Sequence, residues 1–234
     1  MCSLNCSYCQ YGWTSMQTTS GKGCENQLPS VQEVVLALRK AFLLHRNFAY
    51  ITFSGNGEPT LHPDFPEIID IVQGMRDQFR PEVKLAILSN STTSGDPVIR
   101  EALEKIDLPI MKLDVGNEQA FKRMNHGIPL ITLESIVEGL RSLKKFVIQS
   151  MFIRGKIDNS SDWEVMSWIK RLQELKPLWV QIYSIDRGTA SAQLEKVEIS
   201  RLKEIARIAE KMTGLRIEVY STKEDIEDIH KMDL

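Results

Sequence analysis

The stretch Cys2-Ser3-Leu4-Asn5-Cys6-Ser7-Tyr8-Cys9 decides how the fold of this chain is interpreted. It holds three cysteines, separated first by three residues and then by two. A loop this short can place three thiolates around one corner of an iron–sulfur cube, and thiolates are the usual ligands of such clusters. Because no fourth cysteine lies close by, one iron would stay open to another ligand. We therefore predict a [4Fe–4S] cluster bound by Cys2, Cys6 and Cys9.

Zinc is the alternative metal for these thiols. A structural zinc site has four closed ligands, and Cys24 is the only cysteine left in the chain to act as the fourth. Zinc ligands usually come as paired Cys-x-x-Cys motifs, and nothing near Cys24 forms a second pair. The spacing therefore favours the cluster and leaves Cys24 as a free thiol.

The composition is ordinary for a globular protein. The chain has 234 residues, a net charge of -2, 42% hydrophobic residues and 26% charged residues. Because α/β barrels of this length are routinely one domain, we expect a single domain over residues 1–234. No apolar run approaches a membrane span and no secretory signal is visible. We therefore expect a cytoplasmic protein without a membrane partner.

Hydrophobic periodicity predicts that helices and strands alternate after the cysteine loop. Such alternation is typical of βαβ units and a parallel sheet. The predicted strands cover 48–54, 83–89, 110–115, 146–152, 178–184 and 216–220. The predicted helices begin near 30, 64, 96, 118, 132, 160 and 198.

One face of these strands carries polar side chains and the other is apolar. Lys112 and Asp114 share a polar face, whereas Leu113 and Val115 lie opposite. A doubly wound sheet would be apolar on both faces, because helices cover both. The pattern therefore predicts a full or partial (β/α) barrel of parallel strands, with its chemistry at the C-terminal ends of the strands. The residues at or just past those ends are Glu58, Asn90, Asp114, Arg154 and Arg187.

The motif Cys2-x-x-x-Cys6-x-Tyr8-Cys9, with an aromatic residue before the third cysteine, resembles the signature of the radical S-adenosylmethionine (SAM) superfamily. Gly57-Glu58-Pro59 resembles the second motif of that superfamily. Three longer strings resemble the wyosine-tRNA-synthetase-like subgroup: CQYG at 9–12, TFSGNGEPTLHP at 52–63 and QSMFIRG at 149–155. The resemblance implies a partial barrel of the radical SAM type.

The resemblance also implies a reaction. The three cysteines would bind three irons, and the amino and carboxylate groups of SAM would chelate the fourth. A reductant such as flavodoxin or ferredoxin would supply an electron, and cleavage of SAM would give a 5′-deoxyadenosyl radical. That radical would abstract hydrogen from an unidentified substrate, while the protein supplies placement and excludes water.

Several residues become expected SAM contacts by the same resemblance. Gly57 lacks a side chain, so the backbone of Gly57 and Glu58 can approach the SAM amino group. Tyr8 would form a wall beside the adenine. Gln149 and Arg154 belong to the third matching string. Arg154 would face the SAM carboxylate or an anionic substrate, a role that Arg187 could share.

Asn90 and Asp114 are expected to bind the ribose hydroxyl groups of SAM. Each residue also has a structural alternative. Asn90 could be a turn residue, Asp114 could pair with Lys112 inside the barrel, and Glu58 could cap the helix that follows Pro59. Arg154 and Arg187 could be solvated loop residues.

The sequence departs from the superfamily pattern in two respects. The family has a strand before the cysteine loop, whereas only Met1 precedes Cys2 here. We therefore expect a barrel that lacks its first strand, and we hypothesise a truncated start. Wyosine-type enzymes bind a second cluster through further cysteines, and only Cys24 remains. Together with the net charge of -2, this shortage makes tRNA a less favoured substrate.

A second class of function stays open at this point. The chain could be a noncatalytic iron–sulfur or zinc-binding module derived from the same fold. The missing first strand favours that hypothesis. A module without SAM would need neither the Gly57-Glu58-Pro59 motif nor a polar barrel interior.

Overall fold

The computed structural model describes residues 1–44 and 47–221. The strands are β1 (Tyr50–Phe53), β2 (Lys84–Ser89), β3 (Leu108–Lys112), β4 (Val147–Gly155), β5 (Val180–Ser184), β6 (Leu194–Lys196) and β7 (Ile217–Val219). The helices are α1 (Val31–Leu44), α2 (Phe65–Phe79), α3 (Pro97–Glu104), α4 (Glu118–Met124), α5 (Leu133–Arg141), α6 (Asp162–Leu175) and α7 (Ile199–Thr213). Short 3₁₀ turns cover Glu25–Gln27 and Pro59–Leu61. None of the helices in the described ranges combines the length and hydropathy needed to cross a bilayer.

Local sequence signals start several of the helices. Asp96 accepts hydrogen bonds from the first turn of α3, and Pro97 follows it at the first helical position. Asn117 caps α4. Thr132 and Ser135 cap each other's backbone N–H groups at the start of α5. These caps place the helix starts close to where the sequence predicts them.

The sheet runs in the order β1-β2-β3-β4-β5-β7, and every neighbouring pair along this path is parallel. Among the described residues, β1 and β7 form its two edges, so the curled sheet does not close. The predicted partial (β/α) barrel is thereby confirmed. The first strand, β1, follows the cysteine loop in the chain.

The polar inner face is also present. Ile148, Val180 and Ile182 are fully buried beneath the helices, whereas Gln149 and Gln181 are half-buried inside the curl. The Gln149 side chain donates to Gln181 Oε1 at 3.1 Å. The interior polar groups therefore pair with one another across the strands.

One strand was not predicted. The three residues of β6 pair in antiparallel fashion with the end of β4, where Arg154 lies opposite Glu195. This pairing extends β4 to Gly155, three residues beyond its predicted end at 152. A three-residue strand is too short to show an alternating pattern, so its position depends on the tertiary pairing.

Helix α6 packs directly on the turn that follows β3. A Cβ atom added to Gly116 would lie 2.0 Å from the carbonyl carbon of Ser167 in α6, closer than any real contact. Beside it, Trp168 is fully buried and donates from Nε1 to the carbonyl of Leu113 at 3.1 Å. Helix α6 therefore fixes the backbone on both sides of Asp114.

We expect Gly116→Ala to lower the free energy of unfolding by about 1–3 kcal/mol, because the new methyl group meets backbone that cannot move aside cheaply. Gly74→Ala is the matched control, since Gly74 is exposed on α2 and an added Cβ meets nothing within 4 Å. That change should raise stability by about 0.5–1 kcal/mol. Urea unfolding followed by circular dichroism measures the free energy of unfolding of both variants. Equal changes in the two variants would contradict the close contact between Gly116 and α6.

Candidate functional site

The C-terminal edge of the sheet and the cysteine loop enclose one cavity. Its volume is about 630 Å³, which lies in the usual range for a small-molecule site. Cys2, Cys6 and Cys9 all line it, together with Tyr8 and Gly57. Further parts of the wall come from residues 10–15, from the turn after β1 and from the chain between Tyr183 and Gly188 at the end of β5.

The cysteine loop is held in place from below by α4. The last carbonyl groups of a helix have no partner within the helix. Here the N–H of Ser7 donates to the carbonyl of Met124, and the N–H of Asn5 donates to that of Asn125, each at 2.9 Å. Leu4, between the cysteines, is 3% exposed and belongs to the hydrophobic core. The loop is therefore part of the folded barrel.

Two side-chain amides donate to the cysteine sulfurs. Asn90 Nδ2 lies 3.3 Å from Cys2 Sγ, and Asn125 Nδ2 lies 3.4 Å from Cys6 Sγ. Burial raises the pKa of the Cys2 thiol. Burial, with a smaller effect of the Asp114 carboxylate, raises the pKa of Cys6 to about 12. Such a thiol keeps its proton at neutral pH until a metal displaces it.

Asp114 connects the cysteine loop to the barrel interior. The Tyr8 hydroxyl donates to its Oδ2, and so does Asn125 Nδ2, at 3.0 Å. Lys112 Nζ lies 2.9 Å from Oδ1, and the backbone N–H of Met151 donates to the same oxygen at 2.9 Å. The carboxylate is almost fully buried, yet both of its oxygens have partners. The predicted pairing of Asp114 with Lys112 is present.

Lys112 lies between two tyrosine rings. Its Nζ is 5.2 Å from the ring centroid of Tyr8 and 4.9 Å from that of Tyr183, and it donates to the Tyr183 hydroxyl at 3.0 Å. Burial lowers the pKa of Lys112, but Asp114 and Tyr183 outweigh it and the net pKa is raised. Burial, followed by the Asp114 charge, raises the pKa of Tyr8. The site therefore holds a cationic amine and a neutral phenol.

The Glu58 side chain turns away from the cavity. Its Oε1 accepts from the Thr60 hydroxyl at 2.7 Å and from Ser89 Oγ at 2.9 Å. Its Oε2 accepts from the backbone N–H of Asn90 at 2.5 Å. Glu58 also caps the 3₁₀ turn that begins at Pro59. Burial raises the pKa of this carboxyl group. The Glu58 side chain therefore has the capping role that the sequence offered as an alternative. It also links the turn after β1 to the turn after β2.

Gly57 forms the part of this motif that does line the cavity. A Cβ atom there would lie 1.8 Å from the carbonyl oxygen of Met1. The same carbonyl accepts from the backbone N–H of Glu58 at 3.2 Å. Only glycine fits this approach, because the backbone of Met1 occupies the space that a side chain would need.

The remaining predicted SAM contacts, Asn90, Gln149 and Arg154, differ in their positions relative to the cavity. Asn90 takes the turn role, since its Oδ1 accepts from the backbone N–H of Thr92 at 3.0 Å, but its amide also reaches Cys2. Gln149 lies deeper in the barrel and accepts from the Tyr183 hydroxyl at 3.2 Å. Arg154 is exposed and does not line the cavity. The extension of β4 towards β6 carries it past the rim, so the geometry does not support its role as a SAM contact.

The rim of the cavity joins the cysteine loop to the chain after β5. The Arg187 guanidinium donates to Gln10 Oε1 at 2.9 Å, and the backbone N–H of Ser191 donates to the Ser7 carbonyl at 2.9 Å. Tyr11 and Trp13 line the same rim and are more than half exposed. Arg187 therefore lies at the mouth, as its position after β5 predicts.

Cys24 does not join the other three cysteines, so a zinc ion at this site would have no fourth thiol ligand. The Cys24 thiol donates to Met16 Sδ at 3.5 Å, and Cys24 does not line the cavity. Within residues 1–44 and 47–221, no three His, Cys, Asp or Glu side chains converge as ligands of a single metal ion do. A cluster needs no such convergence, because each cysteine binds a separate iron.

Asn125 is a site residue that the sequence does not reveal. It follows the last residue of α4, and its side chain reaches Cys6, Tyr8 and Asp114. These partners are separated from it by up to 119 positions in the chain. No spacing rule links an asparagine at a helix end to a cysteine so far away, and only the docking of the loop on α4 brings them together.

A family model of the radical SAM superfamily matches residues 1–182. The chain belongs to the radical SAM superfamily. This superfamily uses a [4Fe–4S] cluster and SAM. The donor set fits these groups, because three thiols and Gly57 line a single cavity of suitable volume.

The curated relatives that this chain matches are longer than the chain itself. A Brachyspira hyodysenteriae protein named GTPase Obg is 29% identical over 227 residues, which cover 95% of this chain and 32% of that protein. A UPF0026 protein of Helicobacter pylori is 25% identical and covers 81% of this chain and 59% of that protein. A UPF0026 protein of Methanocaldococcus jannaschii is 24% identical, with coverage of 91% and 65%. The chain thus spans about a third of the first and less than two thirds of the others.

Solved structures share the radical SAM fold. Streptococcus suis SuiB bound to its precursor peptide SuiA has a TM-score of 0.69 at 14% identity, covering 99% of this chain and 49% of that one. A radical SAM methyltransferase from Sphaerobacter thermophilus has a TM-score of 0.68 at 16% identity, with coverage of 96% and 64%. TYW1 with a lysine-pyruvate adduct has a TM-score of 0.60 at 16% identity, with coverage of 90% and 70%.

We expect Lys112→Met to lower the free energy of unfolding by about 3–5 kcal/mol, because it leaves the buried Asp114 carboxylate without its cation. Lys122→Met is the matched control. Lys122 is exposed and lies 3.7 Å from Glu118, so its loss should cost about 0–1 kcal/mol.

Chemical unfolding of both variants checks this difference. In the double variant Lys112→Met with Asp114→Asn, the loss should be smaller than the sum of the two single losses, because the pair is coupled. Additive losses would show that Lys112 and Asp114 do not stabilise each other.

Proposed function

We propose that this chain is a radical SAM enzyme that acts on an unidentified substrate. In this proposal Cys2, Cys6 and Cys9 hold a [4Fe–4S] cluster, and SAM binds beside it in the same cavity. The observation that carries the proposal is that the three thiols and the Gly57 backbone line one cavity of about 630 Å³. A cluster-binding module without SAM would need no cavity of this size next to the cysteines.

A cluster held by Cys2, Cys6 and Cys9 would, when reduced, supply the electron for the cleavage of SAM, and the resulting radical chemistry would remove hydrogen from the substrate. The chain's own residues bind and orient the reactants. Gly57 presents backbone groups to the SAM amino group without a side chain in the way. Tyr8 lies beside this space, with its hydroxyl held by Asp114. Its ring orientation is therefore fixed before SAM arrives.

Other predicted contacts take supporting roles in this proposal. Glu58 holds the Gly57 turn through its hydrogen bonds to Thr60, Ser89 and Asn90. Asp114 holds Tyr8, and its oxygens are occupied by protein donors. The hydrogen bonds of these two carboxylates thus hold the Gly57 turn and the Tyr8 ring in place, which keeps the cavity preorganised.

The substrate would enter at the rim formed by Tyr11, Trp13 and Arg187. Trp13 is held there by an edge contact with the ring of His126, at 5.8 Å between centroids. The exposed aromatic rings and the guanidinium suit a substrate with a planar or apolar part and an anionic group. A tRNA nucleoside would meet this description, but the net charge of -2 does not favour tRNA. A reductant such as flavodoxin or ferredoxin would deliver the electron.

Anaerobic reconstitution with iron and sulfide tests the proposal. We expect a brown protein with iron and sulfide in the ratio of one [4Fe–4S] cluster per chain. After reduction with dithionite and addition of SAM, chromatography should detect 5′-deoxyadenosine. Cys2→Ala, Cys6→Ala and Cys9→Ala should each lose SAM cleavage.

Cys24→Ala is the matched control, because it removes a thiol from outside the cavity. This variant should assemble the cluster and cleave SAM at the rate of the unaltered chain. A chain that assembles the cluster but never produces 5′-deoxyadenosine would reject the enzyme and favour the noncatalytic module. A colourless chain that retains one zinc ion would reject both cluster-based functions.

A further inference from the structure

We infer that Asn90 and Asn125 set the reduction potential of the cluster by donating side-chain hydrogen bonds to the sulfurs of Cys2 and Cys6. The inference rests on the proposed function, since it concerns the same cysteines. It adds a role for two amides that touch the ligand sulfurs directly and that no sequence motif identifies as regulators of the cluster.

The orientation of the Asn90 amide is fixed by its neighbours. Its oxygen accepts from the backbone N–H of Thr92 at 3.0 Å and from the Thr92 hydroxyl at 2.8 Å. A backbone N–H can only donate, so the oxygen must lie on that side. The nitrogen then faces Ser3 Oγ at 2.9 Å and Cys2 Sγ at 3.3 Å. A flip of the side-chain amide would place Oδ1 against the Cys2 sulfur and would break the hydrogen bonds that Oδ1 accepts from Thr92.

The Asn125 amide is fixed by a carboxylate. Its nitrogen lies 3.0 Å from Asp114 Oδ2, and an ionised carboxylate can only accept. The second amide hydrogen is then shared between Cys6 Sγ and the Tyr8 hydroxyl oxygen, each at 3.4 Å. Asn125 is 4% exposed, and its side-chain oxygen Oδ1 is buried with no hydrogen-bond partner among the described residues. The side-chain hydrogen bonds of Asn125 are therefore all donated by Nδ2.

Such donors favour the reduced cluster. An added electron raises the negative charge on the cysteine sulfurs, and an N–H donor stabilises that charge more than it stabilises the oxidised state. Hydrogen bonds to sulfur are among the features that tune the potentials of iron–sulfur clusters. Asn125 is buried and Asn90 is half-buried, and a hydrogen bond shielded from solvent is electrostatically stronger than one in water. Two neutral donors thus make the cluster easier to reduce without adding a titrating charge.

Redox titration of the reconstituted chain, followed by electron paramagnetic resonance, tests the inference. Asn90→Leu and Asn125→Leu should each shift the midpoint potential to a more negative value. The double variant should shift it further, by about the sum of the two, because the amides act on different sulfurs.

Asn117→Leu is the matched control. It removes an amide from the opposite end of α4, where Nδ2 donates to Glu164 at 2.6 Å and Oδ1 accepts from the Ala120 N–H at 2.9 Å. This variant should lose stability and keep the potential of the unaltered chain. Unchanged potentials in Asn90→Leu and Asn125→Leu, in a chain that still cleaves SAM, would overturn the inference and leave the proposed function standing.

A second measurement needs no variant. The unaltered chain, labelled with ¹⁵N only at its asparagine side chains, should show ¹⁵N hyperfine coupling to the reduced cluster in pulsed electron paramagnetic resonance. Absence of this coupling would overturn the inference even if the leucine variants fail to fold. A chain that assembles no cluster at all would overturn both the inference and the proposed function.

Discussion

The site depends on the contact between the cysteine loop and the end of α4. The loop has no regular secondary structure to hold its backbone, and α4 ends with carbonyl groups that lack helical partners. The bonds from Asn5 and Ser7 to these carbonyls satisfy both sides at once. Because Leu4 is buried in the core between the cysteines, the positions of the thiols follow from the packing of the whole barrel.

Asp114 extends this constraint into the sheet. One buried carboxylate receives Tyr8 from the loop, Asn125 from α4, Lys112 from β3 and a backbone N–H from β4. A buried charge is costly unless it is paired and hydrogen-bonded, and here the partners come from four different segments. The requirement to satisfy one side chain therefore makes these segments adopt a single relative arrangement.

Much of this arrangement could be predicted from the sequence. The alternation of parallel strands with helices, the polar inner face and the position of the site at the C-terminal strand ends follow from periodicity, which is a local property. The sequence could not decide between the alternatives for Glu58 and Arg154, because their roles depend on which turn or strand each side chain meets. Glu58 meets Ser89 and Thr60, whereas β6 draws Arg154 past the rim. Asn125 was missed because only tertiary docking brings it to Cys6.

The bond between Ser191 and Ser7 has a mechanical consequence. The segment between β5 and β6 is anchored in the sheet at both ends, and it is tied to the cysteine loop in its middle. Any displacement of this segment by an arriving molecule must either break that tie or pull on the residue next to Cys6. Occupancy of the entrance is thereby linked to the position of the cysteine sulfurs, through this peptide hydrogen bond and through the side-chain bond from Arg187 to Gln10.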